Sequence, residues 1–223
     1  MTCFTASPDR YTRLPYRRTG RSGLQLPALS LGLWHNFGDT APLSTQRELL
    51  RTAFDLGINH FDLANNYGPP YGSAETNFGR LLREDFKPYR DELIISSKAG
   101  WDMWPGPYGG IGGSRKYLIA SCDQSLKRLG TDRIDLYLLH WRGGIGLGET
   151  LAGFESLKEA GKIRGWGVSN FDTTDLEQVE VTPSFMGMLG INGTLPIHYT
   201  EQVIKHARFK RDESGRAFLD LFT

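Results

Sequence analysis

Four short apolar runs, each closing on a polar residue, recur along the chain with amphipathic stretches between them. They are 58–62 (INHFD), 93–98 (LIISSK), 134–140 (IDLYLLH) and 165–170 (GWGVSN). Runs of this length bounded by turn signals read as buried strands. Their closing residues, Asp62, Lys98, His140 and Asn170, lie 36, 42 and 30 positions apart. An earlier run, 29–34 (LSLGLW), falls 28 residues before Asp62 at its closing Trp34 and has the same design. The intervening stretches 44–55, 73–82, 116–129 and 149–160 carry apolar residues at helical spacing. Gly57, Gly130 and Gly161 follow three of these stretches, where a left-handed C-cap is expected before the chain enters the next strand. Upstream, 15–27 contains a Gly-Arg-Ser-Gly turn between short extended runs and predicts a β-hairpin. The pattern therefore predicts parallel α/β structure of about five βα units behind an N-terminal hairpin.

Two architectures satisfy that pattern, an open doubly wound sheet and a closed barrel. An open nucleotide-binding sheet should carry a G-x-G-x-x-G turn after its first strand, and none is present. The glycine-rich stretch 106–113 (GPYGGIGG) before Ser114 resembles a phosphate loop superficially. It lacks the Gly-Lys-Ser/Thr ending and does not directly follow an apolar strand, so a phosphate cradle is not expected there. Polar residues at the C-terminal ends of several strands are instead how barrel active sites are built, which favours the barrel.

Composition narrows the function classes. The 223 residues include 26 Lys+Arg against 25 Asp+Glu, a formal net charge of +1, which fits one ordinary globular domain without a global field for nucleic acid or an anionic membrane. Two cysteines, Cys3 and Cys122, cannot make the framework of a small disulfide-rich domain, and no apolar run approaches the ~18 residues of a membrane span. The polar, basic start lacks the apolar core of a signal peptide, so the expected location is the cytoplasm and the Asn192-Gly-Thr sequon reads as chance. His35, His60, His198 and His206 have no metal-ligand spacing, and no metal is expected.

At neighbouring strand ends, Asp62, Lys98 and His140 can face one pocket, with Tyr67 five residues past Asp62 in the following loop. A phenol with a reference pKa of about 10 is a poor proton donor near neutrality, but an adjacent lysine cation stabilises the phenolate. An aspartate would fix the ammonium, and a histidine would hydrogen-bond a carbonyl oxygen. Taken singly, an Asp or Lys at a strand end reads more readily as a cap or solvated charge, His140 as a core histidine and Tyr67 as a loop aromatic. Solvated charges need not fall at the same point of successive repeats, so the four together point to a site suited to carbonyl reduction.

At these residues the chain resembles the aldo-keto reductases, NADPH-dependent enzymes that reduce aldehydes and ketones on a (β/α)8 barrel. The likeness rests on 61–68 (FDLANNYG), Ser97-Lys98, 138–140 (LLH) and 167–171 (GVSNF). It implies Tyr67 as general acid, Lys98 and Asp62 as its tuning pair, and His140 as the carbonyl orienter. It implies NADPH as cofactor, contacted by Gly32, Leu33, Trp34, Asp62, Ser169 and Asn170. A small aldehyde or ketone would meet Trp34, Tyr67, Trp101, His140 and Trp141.

From about residue 11 to 129 the likeness is to the glyceraldehyde 3-phosphate and methylglyoxal reductase branch, related to potassium-channel β subunits. From 130 to about 178 it is to a different reductase branch with a shorter fourth loop. Past about Glu180 the pattern ends, and five units of about 35 residues leave too little chain for three more. The expectation is an incomplete (β/α)8 TIM barrel over residues 1–180, whose open edges invite self-association, followed by an unrelated tail over 181–223. That tail resembles a segment of the TssG-type baseplate wedge subunit of type VI secretion. Within it, 201–209 predicts a short helix and 216–222 an amphipathic end. The alternative to a reductase is thus a non-catalytic protein that docks a secretion baseplate through its tail.

Overall fold

The computed structural model describes residues 4–19 and 22–171, together with the strand backbones of 208–211 and 217–220. The expected hairpin is present: β1 (Tyr16–Arg18) pairs antiparallel with β2 (Gln25–Pro27), Tyr16 facing Pro27. Five strands then alternate with four helices in the order β3 (Leu31–Gly32), α1 (Leu43–Asp55), β4 (His60–Asp62), α2 (Ser73–Leu81), β5 (Ile94–Ala99), α3 (Arg115–Leu129), β6 (Ile134–Leu139), α4 (Leu147–Glu159) and β7 (Ile163–Val168). The strands form one parallel sheet in sequence order, β3-β4-β5-β6-β7. This is an open part of a (β/α)8 barrel: among the described residues, β3 and β7 are its edges.

Strand alternation divides the sheet into two unlike faces. Phe61, Ile95, Tyr137, Leu139, Trp166 and Val168 point outward, where Leu50 and Phe54 of α1, Phe78 of α2, Leu118 of α3 and Phe154 of α4 cover them in the apolar core. The opposite face carries His60, Asp62, Ser96 and Lys98 on adjacent strands, all buried. The loop between α1 and β4 turns through Gly57 at φ 92°, where a Cβ would lie 2.6 Å from the Arg10 carbonyl oxygen. Left-handed backbone and close approach together require glycine there.

Several boundaries differ from the sequence pattern. The run 29–34 contributes only Leu31 and Gly32 to the ladder, because Leu29 faces solvent and the chain turns away after Leu33 donates its N–H to the Asp62 carbonyl (2.8 Å). Helix α2 continues into a π-helical turn, Leu82–Phe86, which buries Asp85. There the Asp85 carboxylate accepts from Arg47 (2.8 Å) and Arg51 (2.7 Å) of α1.

In the tail, β8 (Arg208–Arg211) pairs antiparallel with β9 (Ala217–Asp220). The helix expected over 201–209 is therefore wrong at Arg208 and Phe209, which belong to a ladder, while 201–207 lie outside the described residues. The end expected at 216–222 is a strand over 217–220, and the Asn192 sequon also lies outside the described residues. No helix among the described residues is long and apolar enough to cross a membrane.

Candidate active site

The parallel register puts Asp62 beside Ser96, and Lys98 two positions further along the same face of β5. Lys98 is 1 % exposed, so its ammonium must be satisfied internally. It is: Nζ donates to Asp62 Oδ2 at 2.6 Å, to the Leu63 carbonyl at 2.7 Å and to the Tyr67 hydroxyl at 3.2 Å. Those three acceptors match the three donors of an ammonium. Burial alone would lower the lysine pKa, but the charges and hydrogen bonds of Asp62 and Tyr67 outweigh it and the net direction is upward. Lys98 is thus held as a cation against the phenol. Since the Tyr67 oxygen accepts from Lys98, its own proton is directed elsewhere.

His140 follows β6, its N–H bonded to the Ala99 carbonyl (2.8 Å). Burial pushes its imidazole pKa down to about 3, with the Lys98 cation adding to the fall and Asp62 opposing it. At neutral pH it is an uncharged hydrogen-bonding group, not a proton reservoir. Its Nδ1 is buried and has no partner among the described residues.

Aromatic rings extend the site from Tyr67 in two directions. Trp34 stacks on Tyr67 (5.8 Å between centroids) and also on His35 (4.6 Å). Tyr67 meets His140 edge-on (5.9 Å), His140 meets Trp101 (6.2 Å), and Trp101 stacks on Trp141 at 5.1 Å. The five residues that the resemblance assigned to substrate therefore form one contiguous aromatic series. Gly100 permits this, because a Cβ there would lie 2.4 Å from the Trp141 amide nitrogen. The close approach of the two loops was not legible in the sequence.

At the end of β7, Ser169 is 1 % exposed and its N–H bonds the Leu139 carbonyl (2.9 Å). Asn170 takes φ 57°, and its Nδ2 donates to the His140 carbonyl (2.8 Å) and lies 3.5 Å from the Ser169 hydroxyl, so neither contact uses its amide oxygen. A carboxamide needs both a donor and an acceptor, and this pair supplies them. Gly32 is exposed, with open space where a Cβ would stand. The Leu33 side chain is fully buried in the core, and its N–H donates to the Asp62 carbonyl (2.8 Å). The glycine-rich stretch 106–113 is a set of turns, Gly109 N–H bonding the Gly106 carbonyl (3.4 Å) and Gly112 N–H the Gly100 carbonyl (2.7 Å), and leads to Ser114 as the N-cap of α3. No cluster of three or more His, Cys, Asp or Glu that could hold a metal occurs among the described residues.

The Aldo/keto reductase family model matches residues 28–189. A second model, described as Type VI secretion, TssG, matches residues 157–223. L-glyceraldehyde 3-phosphate reductase of Escherichia coli K12 is 61 % identical over 167 residues, covering 74 % of this chain and 48 % of that protein. Methylglyoxal reductase YeaE of the same organism is 36 % identical over 160 residues, covering 72 % and 51 %. The chain spans about half the length of these curated relatives. A crystal structure of an aldo-keto reductase from Klebsiella pneumoniae in complex with NADPH superposes with a TM-score of 0.63 at 35 % identity, covering 75 % of this chain and 55 % of that one. With its parallel sheet, its strand-end site and a family match over most of its length, the chain belongs to the aldo/keto reductase family.

Proposed function

We propose that this protein reduces aldehydes or ketones to alcohols with NADPH, Tyr67 delivering the proton to the carbonyl oxygen. The observation that carries the reading is the Lys98 ammonium, held by Asp62 at 2.6 Å and donating to the Tyr67 hydroxyl at 3.2 Å. The cation stabilises the phenolate left behind when the proton is given up. His140, neutral and beside Tyr67, hydrogen-bonds the substrate oxygen and so orients the carbonyl. Trp34, Trp101 and Trp141 wall the approach and exclude water. Ser169 and Asn170 fit the carboxamide of the nicotinamide, with Gly32, the Trp34 side and Asp62 completing that end of the pocket. When bound, the nicotinamide supplies the hydride that the protein cannot. The relatives favour a short aldehyde, and L-glyceraldehyde 3-phosphate and methylglyoxal, named for two of them, are the first substrates to test.

The same proposal places the chain in the cytoplasm, with the reductase portion over 1–180, the tail over 181–223, and the β3 and β7 edges as the route to association between copies. The match to TssG covers less than a third of the chain and does not displace this reading.

The test is NADPH binding and consumption with these aldehydes, in the wild type and in Tyr67→Phe. Loss of the phenol hydroxyl is expected to reduce kcat by about 10²–10⁴, the usual range for a positioned proton donor. Undiminished turnover in the variant would exclude Tyr67 as the donor.

A further inference from the structure

Behind Asp62, on the polar face of the sheet, the structure places a hydrogen-bonded file of three side chains that the chemistry above does not use. Ser30 Oγ lies 2.8 Å from His60 Nδ1, and His60 Nε2 lies 3.0 Å from Ser96 Oγ. Ser96 Oγ in turn donates to Asp62 Oδ1 at 2.5 Å. His60 and Ser96 are fully buried. The file runs from Ser30, the residue before β3, to His60 of β4 and Ser96 of β5, and ends on the carboxylate oxygen that Lys98 does not occupy.

The proton directions in this file are fixed by counting. A serine hydroxyl has one proton, and that of Ser96 is given to Asp62, so toward His60 the Ser96 oxygen can only accept. His60 Nε2 must then carry the imidazole hydrogen. Burial, partly offset by the Asp62 charge, pushes the His60 pKa down to about 4, so the ring is neutral and has a single N–H. Nδ1 is consequently an acceptor, and the Ser30 hydroxyl is its donor. Every dipole in the file points the same way, toward Asp62.

We infer that Ser30, His60 and Ser96 are a directional hydrogen-bond relay that positions Asp62 and, through Lys98, sets how readily Tyr67 gives up its proton. The relay stabilises one carboxylate oxygen by hydrogen bonding and leaves the other to the ammonium. Without the Ser96 hydroxyl, the whole negative charge falls on Lys98, which is drawn toward Asp62 and donates less to Tyr67. The phenolate then loses support. The ionisable groups that face Tyr67 are Lys98 from β5, Asp62 from β4 and His140 after β6. Glu75 and Arg128 lie on the other face of β5 and do not enter this set. Ser30, His60 and Ser96 are positioning residues, since none of them touches a reacting atom, and their catalytic consequence rests on the proposed reductase reading.

The experiment uses the full chain and two readouts that need no turnover. Nitrogen NMR of the His60 imidazole, assigned by its loss in His60→Gln, is expected to show the neutral Nε2–H tautomer at neutral pH, and the Nδ1–H tautomer would overturn the relay. Tyrosinate absorbance, taken as a difference against Tyr67→Phe, is expected to show the Tyr67 ionisation moving upward by about one pH unit in Ser96→Ala, with return toward wild type in Ser96→Thr, which keeps the hydroxyl. His60→Leu is expected to shift it in the same direction by less, and covers the case in which Ser96→Ala fails to fold. An unmoved Tyr67 in a folded variant would overturn the relay. NADPH-dependent turnover, measured alongside, separates the two ideas. A shifted phenol in a protein that reduces no aldehyde keeps the relay and rejects the reductase reading, and turnover with an unmoved phenol does the reverse.

Discussion

Two adjacent residues of β5 lead to two buried ion pairs with opposite uses. Lys98 points to the polar face and pairs with Asp62, while Ser97 points to the helical face and donates to Glu75 (2.5 Å), itself paired with Arg128 at 2.7 Å. The partners are similarly buried, with side-chain exposures of 1 % and 9 % for Lys98 and Asp62 against 19 % and 0 % for Arg128 and Glu75. The difference lies in what else each cation holds. Arg128 spends its remaining contact on Ser125 of its own helix and ties α3 to α2, whereas Lys98 reaches a phenol at the mouth of the sheet. Buried charge thus marks a site only where its surplus hydrogen bond ends on a group that a ligand can meet.

The sharpest test of that contrast is Lys98→Met. It is expected to lower kcat by about 10²–10⁴ through loss of the cation that supports Tyr67. It should also destabilise the fold by about 3–5 kcal/mol, because Asp62 is left buried without its partner. Steady-state kinetics and denaturant titration read the two effects separately. Glu75→Ala breaks the other pair and should cost a similar 3–5 kcal/mol or so while leaving kcat per folded molecule unchanged. A fall in kcat with Glu75→Ala would erase the distinction between the two regions.

A smaller effect separates the faces by pH. His60 and His140 on the polar side have folded pKa values of about 4 and about 3, both below the ordinary 6.5, so the unfolded chain binds more protons as the pH falls below that value. Stability from these groups is complete above about pH 6.5 and is lost as the pH drops toward about 4 for His60 and about 3 for His140, with His60 alone accounting for about 3 kcal/mol. Denaturation midpoints measured across that window should fall in the wild type and fall less steeply in His60→Gln.

The sequence made some of this legible. The repeat of apolar runs closing on Asp62, Lys98, His140 and Asn170 located β4 to β7, and the helices α1 to α4 fell within about two residues of the amphipathic stretches. That succeeded because buried parallel strands and helices impose their periods directly on the chain. Ser30, His60 and Ser96 were missed because their meaning depends on register. Only the pairing of Asp62 with Ser96 turns a serine in an apolar strand into a donor to a carboxylate. The shortness of β3, the π-helical turn at 82–86 and the Gly100 contact were missed for the same reason, since each is decided by what packs against it. In the tail, 208–211 followed pairing with 217–220 and not the helical pattern read across Phe209.

The stacked indoles of Trp101 and Trp141, 5.1 Å apart and inclined by 17°, have a consequence of a different kind. Two chromophores at that separation share their electronic excitation, so the pair should give a coupled near-ultraviolet circular dichroism band that isolated tryptophans lack. Because Gly100 sets how closely the two loops approach, that band is a built-in optical gauge of the mouth, sensitive to anything that enters between the rings and His140.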